Sequence, residues 1–349
     1  MSTTGIAPQR RYSKPSGFYL QARQEFFAEN DAMRAKAHEI NAIYARQPIR
    51  ESCKICSATL PEKDGFASHG VPYVKCGGCT HLNGRHQDGA AFWEEVYLGN
   101  SGEYAELYLA TAFEDRVRDI YLPKVEFLLD SLPAGTAPTL LDIGCGAGFF
   151  VEAALQRGID AQGIDVNAAM IDSGNDVIEH RRGFRPLELV DGTRFAEQIR
   201  KSRARVLSAI GVIEHLSDLD EFWSAFRASS FDYIYFSVPM FSLSAVVEHV
   251  FPDVAPRHLQ ADHTHLFTEQ SLHKMYELLG VEPVAEWRFG TDVMDLFRSL
   301  INTVQLTGAD ALLDELVNKF APCIDDLQAV LDRAHTCSEI HVLARRSTD

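Results

Sequence analysis

A chain of 349 residues with 46% hydrophobic and 23% charged residues is long enough to bury a full core, which excludes disordered and fibrous polypeptides. Its 33 basic and 49 acidic residues leave a net charge of −16, which repels phosphate backbones and anionic lipid and argues against a general nucleic-acid coat protein. No apolar run is long enough for a signal peptide or a bilayer span, so no membrane partner and a cytoplasmic location are expected.

From about Gly17 to Arg46, apolar residues recur three and four apart, which predicts an amphipathic helix within an N-terminal helical arm over 1–48. Between Ile49 and Leu82 the pattern changes to short β-rich runs punctuated by Pro61, Gly65, Gly70, Gly77 and Gly78, a small module assigned to 49–90. Helical spacing returns with many aromatics and ends at Leu132-Pro133-Ala134-Gly135, predicting a helical bridge or cap over 91–135. From Thr139 the apolar runs TLLDIG, DAQGID, PLELVD, RVLSAIGVI and FDYIYFSVP alternate with helical segments. This predicts parallel βαβ units, because a parallel pairing needs a crossover long enough to hold a helix. VEPVAEWRF, a helical insertion over about 292–334 and a last strand IHVLAR complete a domain over 136–349.

Two motifs carry chemistry. LLDIGCGAGFF, residues 140–150, runs an apolar strand into Gly144, Gly146 and Gly148 and then into a helix. Glycines there allow a tight turn and close ligand approach to main-chain N–H groups at the positive end of the helix. A dinucleotide-binding loop would need a small residue at position 149, where this chain has Phe149. Asp165, in GIDVN, stands where a carboxylate accepts both hydroxyls of a ribose. The second motif is Cys53-x2-Cys56, nineteen residues, then Cys76-x2-Cys79. Two such knuckles bring four thiolates within tetrahedral reach of one Zn²⁺, and a closed four-sulfur site is structural. A redox dithiol would need only one pair, normally ahead of a helix. His69 and His81 lie close enough in sequence to substitute as ligands.

DIGCGAGFF, GIDVN and GVIEHLSD, in this order and spacing, resemble the class I S-adenosylmethionine-dependent methyltransferases over about residues 136–346. The resemblance implies an α/β, Rossmann-like seven-stranded sheet whose last strand, IHVLAR, is antiparallel to the rest, here with an N-terminal helix and a small zinc ribbon in front. It implies that Gly144, Cys145, Gly146 and Gly148 line the methionine part of S-adenosylmethionine and that Asp142 holds its amino group through water. Asp165 would bind the ribose, Val166 flank the adenine and Asp191 lie near the adenine amine, with Gly211 and Val212 as the floor.

Arg257-His258 and Asp262-His263-Thr264-His265-Leu266-Phe267-Thr268 follow the fifth strand of this domain, on the side where open α/β sheets hold ligands. His263 is the first candidate for the base that takes the acceptor's proton, and His265 the second. Glu214 and His215 of GVIEHLSD, also at a strand end, come next. The bland alternative is a solvated loop that caps a helix starting after Thr268.

The order of cysteine module, aromatic bridge, methyltransferase domain, HTHLFT loop and WRFGTDVMDLF segment is similar to methyltransferases of sugar, polysaccharide and secondary-metabolite pathways. That implies a small-molecule acceptor methylated at a hydroxyl or a carbon. Nucleotide-sugar C-methyltransferases with the same front knuckles carry a further large C-terminal domain. Its counterpart is not found here, which makes oxygen at least as expected an acceptor as carbon. The competing reading is an rRNA base methyltransferase with a zinc module ahead of the domain. Residues 1–90, with 12 Lys/Arg and 8 Asp/Glu, favour it, and the remainder, with 21 and 41, opposes it. A third reading is a non-catalytic scaffold, against which the glycine loop and Asp165 stand.

Overall fold

The computed structural model describes residues 7–17, 29–98, 113–259 and 263–347. Strand β1 (Gln9–Tyr12) is followed by helix α1 (Asn30–Ala45) and three short strands, β2 (Phe66–Ser68), β3 (Val71–Lys75) and β4 (Leu82–Gly84). Helix α2 (Leu122–Ser131) leads into β5 (Thr139–Ile143), α3 (Phe149–Gln156), β6 (Asp160–Asp165), α4 (Ala168–Arg182) and β7 (Leu187–Leu189). Then come α5 (Phe195–Lys201), β8 (Val206–Ile210), α6 (Leu219–Arg227), β9 (Tyr233–Pro239) and α7 (Leu243–Val250). The chain ends with β10 (His265–Leu266), α8 (Glu269–Leu279), β11 (Val281–Phe289), α9 (Asp292–Thr307), α10 (Ile324–Arg333) and β12 (Glu339–Arg346).

The large sheet has the order β7-β6-β5-β8-β9-β12-β11-β1, with every pairing parallel except the two made by β12. Helices on both faces bury the central strands, so all seven residues of β9 are buried and read as one apolar run. Side chains such as Phe236, fully buried there, each contribute about 2–3 kcal/mol by leaving water. Helix starts follow local chemistry: the Asn167, Asp218 and Thr268 side chains accept the backbone N–H of Met170, Glu221 and Ser271.

The antiparallel last strand of the expected sheet is present, but β1 extends the sheet to eight. Its residues, Gln-Arg-Arg-Tyr, show no apolar alternation by which the sequence could betray a strand. The segment is held instead by backbone pairing to β11, by the Trp287 indole N–H on the Ser13 carbonyl (3.0 Å), and by Arg11 stacked 4.1 Å over the Trp287 ring. Helix α1 covers the last part of the expected Gly17–Arg46 helix, and residues 18–28 lie outside the described residues. So do residues 99–112, including Tyr104 and Tyr108 of the expected bridge. No described helix is long and apolar enough to cross a membrane.

A second, antiparallel sheet has the order β10-β4-β3-β2. Three of its strands come from the cysteine module and the fourth from the histidine loop after β9. The seam is continuous: the Gly84 N–H donates to the Thr264 carbonyl (2.7 Å), the His81 and His265 rings share a hydrogen bond (2.8 Å), and the Thr80 and Thr268 hydroxyls another (2.7 Å). A Cβ on Gly84 would stand 2.1 Å from the Tyr44 hydroxyl and 2.8 Å from the Thr264 carbonyl, so only glycine lets helix α1, β4 and this loop close together.

Candidate active site

The donor half of the cleft is built where β5, β6 and β8 end. Gly144 sits at φ +63° with no room for a Cβ, which would meet Val212 at 2.5 Å. Gly148, at φ +74°, caps the start of α3 against Leu187, so it supplies the close helix-to-strand packing and leaves Phe149 free to stack on Tyr121. Asp165 is buried, with one carboxylate oxygen accepting the Gly146 N–H (2.7 Å) and the other the Asn167 N–H (2.8 Å). Each oxygen keeps a second lone pair, which is what a ribose diol needs. Burial raises the Asp165 pKa while these backbone donors oppose the rise. Asp142 accepts the Ser208 hydroxyl (2.6 Å), and burial pushes its pKa up to about 7.

Val166 is half-buried, 3.6 Å from where a Cβ on Gly192 would stand, while Asp191 is exposed and accepts the Arg194 N–H through its carbonyl (2.8 Å). Cys145, in the loop after β5, is buried against β6, close enough to Gly163 that a Cβ there would meet its sulfur at 2.7 Å, and its thiol is pushed well up by burial. It fills space between loop and sheet.

Beyond Gly211 lies a cavity of about 250 Å³, lined among others by Glu214, His258, His263, Arg298 and Glu339. Gly211, at φ +66°, donates its N–H to the Ser237 hydroxyl (3.0 Å) and joins the two halves of the cleft. Glu214 is 4% exposed, its Oε2 has no hydrogen-bond partner, and burial pushes its pKa up to about 8. His263 Nδ1 is likewise buried without a partner. Ligand atoms of Glu214, His215 and His263 all lie within 4.8 Å of one another. His215 packs edge-on to Trp93 and beside His263, with ring centroids 5.5 and 5.6 Å away.

The rest of the lining is clamped. His258 gives one ring nitrogen to the Met240 carbonyl (2.8 Å), and burial, aided by Arg257, pushes its pKa down to about 4. Arg257 holds Asp295 of α9 through two hydrogen bonds of 2.8 and 2.5 Å. Burial opposes the charge of Glu339, but the His341 ring at 2.8 Å and the Lys124 and Lys14 charges hold it well below the usual carboxylate range.

His265 is placed differently from His263. It is 1% exposed, opposite Asn83 in the small sheet and bonded to His81, and it is absent from the cavity lining. The pairing of β10 with β4 separates the two histidines, and nothing local in HTHLFT signals that pairing. Arg116, Lys124, Asp295, Arg298 and Glu339 line the cavity with no motif to mark them. They meet only because α2, α9 and β12 converge.

The four cysteine sulfurs lie within 4.8 Å of one another, with Cys53–Cys79 at 3.6 Å and Cys56–Cys76 at 3.5 Å. Sulfurs around a tetrahedral zinc stand roughly 3.8 Å apart, so the set fits that ion. Ser57 and Thr80, the residues after each knuckle, both take positive φ, which turns each CxxC loop around the cluster. Burial pushes the Cys53 thiol up to about 11, and a cation among the sulfurs would favour its thiolate. Among the described residues the cluster includes neither His69 nor His81.

Residues 113–286 match the family described as "Methyltransferase domain". This chain carries a methyltransferase domain. A glycine loop, a ribose-type carboxylate and a seven-strand core with an antiparallel last strand suit S-adenosylmethionine as the methyl donor. The methyltransferase is similar to three solved structures. One is a SAM-dependent methyltransferase from Archaeoglobus fulgidus (17% identity, TM-score 0.42, 67% of this chain and 98% of that one). The second is geranyl diphosphate C-methyltransferase from Streptomyces coelicolor (16%, 0.43, 70% and 86%). The third is magnesium protoporphyrin IX methyltransferase from Synechocystis (12%, 0.46, 72% and 98%). No curated protein matches the methyltransferase in sequence.

Proposed function

We propose that this methyltransferase transfers the S-adenosylmethionine methyl group to a hydroxyl or carbon of a small polar acceptor, a sugar or a sugar-derived or secondary-metabolite compound. The observation that carries this reading is Glu214, a buried carboxyl with an unpartnered oxygen beside His263 in a cavity next to the donor half. Gly144, Gly146, Gly148, Asp142 and Asp165 hold the donor, with Val166, Asp191, Gly211 and Val212 around its adenine and floor. Glu214 and His263 assist loss of the acceptor's proton while an acceptor lone pair forms the bond to the methyl carbon and the C–S bond breaks. A cavity of about 250 Å³ lies at the small end of ligand pockets, and its charged lining suits a hydroxylated compound better than an apolar one.

Cys53, Cys56, Cys76 and Cys79 hold a structural Zn²⁺ with no open position for chemistry. Thiols kept reduced for that purpose fit a cytoplasmic setting. The assignment is tested by assaying methyl transfer to sugars, nucleotide sugars and stripped ribosomal RNA over a range of salt. Turnover of a small acceptor with weak salt dependence is expected. Methylation of the RNA that collapses between low and moderate salt would replace this reading with the RNA one, because phosphate contacts are lost to competing counterions. Failure to bind the donor would return the scaffold reading.

A further inference from the structure

We infer that Glu214, His215 and His263 form a second metal site, which holds a divalent transition-metal ion in the acceptor cavity. Two side chains of the cluster carry buried polar atoms without partners, Glu214 Oε2 and His263 Nδ1, and leaving such atoms unpaired is costly. A cation that takes an electron pair from each would satisfy both atoms at once. The ligand atoms lie within 4.8 Å of one another, and ligands about a zinc-sized ion stand roughly 3 to 3.5 Å apart, so small side-chain rotations close the site.

The donor set selects the ion. Two imidazoles and one carboxylate suit Zn²⁺, Mn²⁺, Fe²⁺ or Co²⁺ over Mg²⁺ and Ca²⁺, which prefer oxygen ligands throughout. Three protein ligands also leave open positions, unlike the closed four-cysteine cluster. The charges of Lys54 and Lys124 both act on Glu214, and Lys54 is ion-paired with Asp88, which it shares with Arg50. Position supports the assignment too, since Glu214 and His263 both line the cavity that begins at Gly211.

This deepens the acceptor reading above and rests on it for its chemistry. The ion holds the acceptor oxygen and favours its ionised form, in place of a bare base. The O–H bond breaks with its proton passing to water, the oxygen lone pair forms the bond to the methyl carbon, and the C–S electron pair returns to sulfur as a neutral thioether.

The experiment needs no acceptor, so its outcome is independent of the substrate assignment. Protein already holding one zinc per chain is titrated with Co²⁺ and, separately, with Mn²⁺, and followed by calorimetry and visible absorption. One further equivalent is expected, with cobalt bands weaker and at shorter wavelength than those of a thiolate site. Glu214→Gln and His263→Ala should each weaken it at least tenfold, while the first zinc and binding of the demethylated donor stay unchanged. Those two readouts separate loss of the site from misfolding. No second equivalent at millimolar metal, or a second equivalent indifferent to both variants, overturns the inference.

Discussion

On the donor side of the cleft, one βαβ unit supplies almost everything: glycines at positive φ, backbone N–H groups and the Asp165 carboxylate between them. On the acceptor side, α2, the Glu214 turn, the stretches holding Arg257, His258 and His263, α9 and β12 each bring one to three side chains to a common space. The first half is preorganised by chain geometry that a glycine or a cap fixes locally. The second is only as well placed as the packing of distant elements, and the small sheet is the part that secures His263. Damage should therefore spread on the acceptor side and stay contained on the donor side.

The strongest way to break the comparison is Cys76→Ser. It should release the zinc and melt the small sheet, because the metal supplies folding energy that so small a core lacks. Elemental analysis should find the zinc gone and hydrogen exchange should show residues 263–268 exposed. Turnover should vanish, while donor affinity measured by calorimetry moves less than about threefold. Next, Glu214→Gln and His263→Ala should each lower turnover by roughly 10² to 10⁴ with donor affinity nearly constant, the pattern of groups that act in the transition state. Asp165→Ala should do the reverse, weakening donor binding by about 1.5 to 3 kcal/mol through lost hydrogen bonds to a charged group. Retained donor affinity in that variant would remove Asp165 from the ribose role.

The smallest effect is a pH dependence confined to the donor side. With its pKa pushed up to about 7 by burial, Asp142 is largely protonated below neutrality and cannot offer its charge to the donor's ammonium group. Donor affinity should fall as pH drops from 8 to 6, by up to about tenfold, which calorimetry of the demethylated donor would follow. Asp142→Asn should bind more weakly and flatten that slope. A wild-type profile equally flat would disconnect Asp142 from the amino group.

The same contrast explains what could be read from the sequence. Gly144 to Gly148 and Asp165 were legible because their spacing is short and the strand and helix between them have clear periods. The CxxC pairs were legible for a similar reason. Strand β1 was not, since Gln-Arg-Arg-Tyr joins the sheet through its backbone and a cation–ring contact. The sequence ranks His263 ahead of His265 without a local signal for it, because which one faces the cavity depends on a pairing with Asn83 in another part of the chain. Glu214 stood out as a strand-end residue, but its burial and unpaired oxygen exist only once distant elements have packed around it.

The hydrogen bond between His81 and His265 joins residues 184 positions apart. During synthesis, then, β4 leaves the ribosome long before the strand that covers its free edge, and must wait as an open edge for most of the chain to follow. Zinc captured early would keep that hairpin ordered through the wait and less prone to pair with a neighbouring chain. With zinc in the four-cysteine cluster, as proposed, the same timing would make metal supply a quality gate. A chain made without zinc would still complete its glycine loop and take up donor, yet would have no template on which to seat its acceptor loop. It would sequester methyl donor without turning it over.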